Sequence, residues 1–74
     1  MTAKEDLKIL LAKENSTMTH AVQELAKSTG KNYNLKNFSS KLRIDSLRYS
    51  EFKQVVQNFG YTIELVKDEQ RIIL

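Results

Sequence analysis

Six basic side chains, Lys31, Lys36, Lys41, Arg43, Arg48 and Lys53, fall within residues 31–53, a stretch that holds only two acids, Asp45 and Glu51. That stretch carries a net charge of +4, whereas residues 1–30 are neutral and residues 54–74 carry −1. The excess positive charge of the chain is therefore gathered in its middle third. Localised cations of this kind suit a surface that meets phosphates, because each ammonium or guanidinium can displace a counterion from a polyanion. The plainer reading of the same pattern is a solvated helix face. Where the residues fall on their helix separates the two.

Other chemistry finds little support in the residue types. The chain has no cysteine and a single histidine, His20, so thiolate-ligated and histidine-rich metal sites are ruled out. Ser39 has no base nearby in sequence to activate it as a nucleophile. There is no Gly-rich phosphate loop and no pair of carboxylates at catalytic spacing. The expectation is a binding protein and not an enzyme, with no metal, no cofactor and no evident small-molecule ligand.

The elements that must position the basic residues follow from caps and periodicity. Thr2 with Glu5 opens a helix expected to run to about Asn15, with Ala3, Leu7, Leu10 and Leu11 on one face. Ser16 or Thr17 caps a second helix, Met18–Thr29, whose apolar residues are Met18, Ala21, Val22, Leu25 and Ala26 and whose stop is Gly30. Residues 31–34 read as a turn, with Asn34 capping a third helix, Leu35–Arg43. Phe52, Val55, Val56 and Phe59 sit at i, i+3, i+4 and i+7 and mark a fourth helix, ended by Gly60. From Tyr61 the period becomes two. Tyr61, Ile63 and Leu65 alternate with Thr62, Glu64 and Val66, which predicts a strand, with residues 67–70 as a turn and 71–74 as a returning strand. The 74 residues are thus expected to form one mainly α domain. Its helical part is residues 1–60, and a C-terminal β-strand or hairpin, residues 61–74, belongs to the same domain.

Helical phase sharpens the reading of the basic segment. Leu35, Phe38 and Leu42 define the buried side of the third helix, and Lys36, Asn37, Ser40 and Arg43 fall opposite, with Ile44 trailing. That outer face has no acid, and its long or amide side chains can donate to base edges or phosphates. The run Asn37-Phe38-Ser39-Ser40-Lys41-Leu42, followed by Leu47-Arg48-Tyr49-Ser50-Glu51-Phe52 and by Phe59-Gly60-Tyr61, resembles the lambda-repressor-like (Cro/repressor, XRE-type) helix-turn-helix family. The resemblance covers about residues 17–65 and is strongest to small phage and mobile-element regulators of Gram-positive bacteria.

What the resemblance implies is specific. The third helix would enter the major groove of double-stranded DNA, with Lys36, Asn37 and Ser40 where base-reading residues lie and Lys41 and Arg43 where backbone contacts are common. Lys31, Asn32 and Arg48 flank that helix and are further candidates for the DNA backbone. The function implied is a transcriptional regulator that reads an inverted repeat as a homodimer. Two features depart from the family pattern. Gly30-Lys31-Asn32-Tyr33 is longer than the compact turn of the family, and Leu35 stands where a polar reader is common; there it either touches a thymine methyl or belongs to the core, and its phase favours the core.

The remaining residues are assigned by their settings. Tyr61, Ile63, Leu65, Ile72 and Ile73 are too apolar to stay solvated, and the tail is expected to form the dimer contact. The same tail supports a reading of another class, a helix-turn-helix fold used as a protein-interaction module, such as a phage-borne modulator or an antitoxin-like partner. Tyr33 and Tyr49 are expected to pack over the core edge, His20 to be exposed, and Ser39 to permit close helix packing. No apolar run approaches the roughly 20 residues that cross a bilayer, and the amino terminus lacks a signal-peptide pattern. The expected location is the cytoplasm.

Overall fold

Three of the four helices start on a side-chain oxygen that accepts a hydrogen bond from a backbone N–H of the first turn. The structure, a computed structural model, describes residues 2–74. Helix α1 (Ala3–Lys13) begins on Thr2, whose hydroxyl accepts from the Glu5 N–H at 3.2 Å. Helix α2 (Met18–Thr29) begins on Thr17, which accepts from the His20 N–H at 3.2 Å. Helix α3 (Leu35–Arg43) begins on Asn34, whose Oδ1 accepts from the Asn37 N–H at 2.9 Å. Each bond satisfies a donor that the helix itself cannot pair. Helix α4 (Tyr49–Asn58) uses the reverse device: the Glu51 carboxylate reaches back and accepts from the Arg48 N–H at 3.1 Å.

Three of the four helix ends share one solution as well. Asn15, Asp45 and Gly60 adopt positive φ (51°, 56° and 85°), and in each case the next N–H closes on a carbonyl five residues back. These bonds are Ser16 to Leu11 at 2.9 Å, Ser46 to Lys41 at 2.8 Å and Tyr61 to Val56 at 3.2 Å. This is the Schellman closure, and Asn, Asp and Gly are the residues that tolerate it. It also ends α1 at Lys13, two residues short of the expected Asn15. Asn15 is the left-handed residue that turns the chain, so it cannot continue the helix.

The apolar stripes meet in one core. Leu7 and Leu11 of α1, Ala21, Val22 and Leu25 of α2, Phe38 and Leu42 of α3, and Val55 of α4 are buried together. Helix α2 is the centre of this arrangement, packing most extensively on α4 and also on α3, while α1 covers α3. Phe52 and Phe59 pack on the core from its edge, and His20 lies edge-on to Phe59 with ring centroids 6.1 Å apart.

The chain ends in an antiparallel hairpin of β1 (Glu64–Lys67) and β2 (Gln70–Ile73), in the register Glu64 with Ile73 and Lys67 with Gln70. Four helices followed by a short hairpin is the expected architecture. The hairpin is tighter than expected, because its loop is only Asp68 and Glu69, with Asp68 at φ 53°. The strand also starts at Glu64 and not at Tyr61. Tyr61 is held by the end of α4 through its N–H, and its hydroxyl donates to Glu14 Oε2 at 2.9 Å. Among the described residues, no helix is long and apolar enough to cross a membrane.

Candidate nucleic-acid interface

Helix α3 is seated by two side chains. Phe38 and Leu42 are buried, which fixes its rotation and turns Lys36, Asn37 and Arg43 outward into solvent. Its remaining flank residues divide between two sides. Ser40, expected on the outer face, is half-buried at the rim of a cleft shared with α1. Ser39, expected as a helix-packing contact, is exposed and lines the same cleft.

Leu35 corrects the phase argument. It belongs angularly with Phe38 and Leu42, yet it is 41% exposed. Helical side chains tilt toward the amino end, so the first residue of a helix projects past that end and away from the body. Leu35 therefore stands beside Lys36 and Asn37, on the part of α3 that any partner would meet first. Tyr49, the first residue of α4, is exposed for the same reason and does not pack over the core. Tyr33, by contrast, packs against the core cluster.

The basic residues fall into free and engaged classes. Lys31 and Asn32 are exposed in the turn before α3, and Arg43 and Arg48 are exposed at its far side. Lys41 is engaged: its Nζ lies 3.2 Å from Glu51 Oε2 and 5.7 Å from the centroid of the Tyr33 ring. Glu51, only 8% exposed, thus binds α3 to α4 while capping α4 through Arg48. Burial alone would push its carboxyl up; hydrogen bonding to Tyr33, to the Arg48 backbone and to Lys41 outweighs that and holds it below the ordinary value. Hydrogen bonding to Glu51 in turn pushes the Tyr33 phenol up. The Tyr33 ring, with Lys41 over it, sets the turn of residues 30–33 beside this pair. In the sequence Glu51 counts only as an acid diluting a basic stretch, and its one visible signal is its capping distance from Arg48.

The residues expected in the dimer contact are partly separated. Leu65, Ile72 and Ile73 are exposed on the hairpin, Ile63 is half-buried where its carbonyl accepts from the Leu74 N–H at 2.8 Å, and Tyr61 is tied to α1 through Glu14. No cluster of three or more metal-ligating side chains exists among the described residues.

Comparison with known proteins adds little to this geometry. No protein-family model matches the chain, and no solved structure matches it. The chain is similar to a protein of Pyrococcus furiosus named as a 1-aminocyclopropane-1-carboxylate deaminase, with 31% identity over 64 residues. That match takes in 86% of this chain and 20% of the relative, so the chain spans about a fifth of the length of the protein it resembles.

Proposed function

We propose that this chain is a small sequence-specific DNA-binding regulator of the lambda-repressor-like helix-turn-helix type, with α3 as the reading helix. The observation that carries this reading is the outer face of α3. Lys36, Asn37 and Arg43 are exposed on one short helix, with the apolar Leu35 beside them and no acid among them. A major groove about 12 Å wide admits one helix, and the first turns of that helix carry the readers. Lys36 and Asn37 read base edges, Leu35 meets a thymine methyl, and Lys31, Asn32, Arg43 and Arg48 hold phosphates. Ser40 is a marginal reader from its half-buried place.

The chain acts as a homodimer on an inverted repeat, joined through the exposed apolar residues of the hairpin. A two-stranded hairpin is marginal on its own in water, which favours a covering partner. The same exposed residues, Leu65, Val66, Ile72 and Ile73, support a second reading, a helix-turn-helix fold that meets a foreign protein. The deaminase name of the P. furiosus relative is not carried over, because the match spans one fifth of that protein.

Fluorescence anisotropy on the chain's own upstream DNA and on a scrambled duplex, across a salt series, tests the proposal. The expected result is preference for one duplex and a steep negative salt slope, with Asn37→Ala relaxing the preference by about 1–3 kcal/mol. Equal, weak binding to both duplexes would refute the DNA reading and favour the protein-partner one.

A further inference from the structure

Between α1 and α3 lies a cleft of about 370 Å³, with Lys4, Lys8 and Arg43 around it. Lys4 and Lys8 are one turn apart on α1 and share a face, and Arg43 arrives from the last turn of α3. No acid lines this cleft, and among the described residues none of its three cations has an acidic partner within 4.0 Å. Ser39 and Ser40 add two hydroxyls. Met18 and the buried Leu42 supply an apolar floor. Three other clefts lack this combination. The one beside Arg48 and Lys31 is also lined by the Glu51 carboxylate, and the one between α1 and α4 has Asp6 and no cation.

Three like charges around one concavity repel each other, and an anion placed among them relieves that repulsion. The volume is in the range of small-molecule sites, about 300–1,000 Å³. A duplex phosphate lies on an open surface and has no use for an apolar floor. An anion joined to an apolar body satisfies the cations and hydroxyls at one end and covers Met18 and Leu42 at the other. We propose that the α1–α3 cleft binds a small organic anion, a phosphate or carboxylate carrying an apolar group, and that its occupancy weakens DNA binding by α3. The second half rests on the DNA reading above; the first does not. The coupling is local: Ser40 and Arg43 belong both to the cleft and to the flank of α3 proposed to face DNA, so a bound anion places negative charge beside the phosphates of the duplex.

The first test needs no DNA. The full chain, labelled with nitrogen-15, is titrated with phenyl phosphate, inorganic phosphate and benzyl alcohol while backbone amide shifts are followed. The expected result is saturable shifts centred on Lys4, Lys8, Ser39, Ser40 and Arg43 with phenyl phosphate, at an affinity about tenfold or more above either comparator. K4Q/K8Q, whose side chains are exposed and free of ion pairs, should keep the melting curve of the parent and bind phenyl phosphate about tenfold more weakly, as the loss of two charge-assisted contacts requires. Shifts that do not saturate, that centre elsewhere or that persist unchanged in K4Q/K8Q would overturn the site. So would equal binding of benzyl alcohol or of inorganic phosphate. The second test repeats the anisotropy assay with saturating phenyl phosphate, which should lower DNA affinity in the parent and not in K4Q/K8Q. Unchanged DNA affinity with the cleft filled would overturn the coupling alone, whereas a chain that binds no DNA at all removes the coupling with the DNA reading and leaves the site to stand on the shifts.

Discussion

Replacing Glu51 by Gln isolates the charge of the one buried acid. The substitution keeps the shape and one acceptor oxygen, so the bond from the Arg48 N–H can survive, but the charge that faces Lys41 and Tyr33 is gone. A hydrogen bond to a charged group contributes about 1.5–3 kcal/mol when buried, and an exposed ion pair about 0–1 kcal/mol. Glu51 is 8% exposed, but the Lys41 side chain is 41% exposed, so the pair sits between these limits. The expected loss at pH 7 is about 1–2 kcal/mol, each kcal/mol lowering Tm by about 4–8 °C in a domain of this size. The pH dependence identifies the cause. Because the folded carboxyl titrates below its ordinary value of 4.5, its contribution is fully present above about that pH and is lost as the pH falls through the lower folded value. Parent and E51Q melting curves, followed by circular dichroism, should therefore differ at pH 7, and the gap should narrow at pH 3. A gap of the same size at both pH values would refute the argument, since it would assign the loss to packing and not to charge.

Four further outcomes follow from the same geometry. Lys41 already faces a carboxylate, so K41M/E51Q, which removes both charges, should leave the slope of log affinity against log salt unchanged in the anisotropy assay. K31Q should flatten that slope by about 0.9, one phosphate's worth of counterion release, and an equal flattening in K41M/E51Q would return Lys41 to the phosphate contacts. Gly30 holds φ +69° with open space where a Cβ would stand, so Gly30→Ala should cost about 1 kcal/mol by urea unfolding, from backbone strain alone. Removing residues 64–74 should leave the helical circular dichroism signal intact and convert a dimer to a monomer by light scattering; a truncated chain that stays dimeric would take the hairpin out of the interface.

The parts of this molecule that are legible in the sequence are those decided by neighbouring residues. Thr17, Asn34, Gly30 and Gly60 act within a turn of where they stand, which is why α2 begins and ends, and α3 begins, where their caps predict. Phe38 and Leu42 declare the buried side of α3 by spacing alone. The failures come from what spacing does not encode. Phase treats every residue of a helix alike, so it misplaces Leu35, and apolar neighbours in sequence misplace Tyr49; both side chains tilt off helix ends. Alternation of apolar residues begins at Tyr61, but the closure of α4 claims that residue first and delays the strand to Glu64. Nothing in a ten-residue separation announces that Lys41 and Glu51 meet. The α1–α3 cleft is hidden for a similar reason, since its walls come from three helices.

The hairpin has a consequence for how the molecule breathes. It pairs with itself and hardly packs on the helices. Its opening therefore exposes little that is not already wet and does not disturb Leu25 or Phe38. Amide hydrogens of β1 and β2 can exchange with solvent through local opening, at a free-energy cost well below that of unfolding α2 and α4. Any partner that covers the hairpin would slow that exchange without altering the core, so protection of the tail and stability of the body become two separate readings of one small domain.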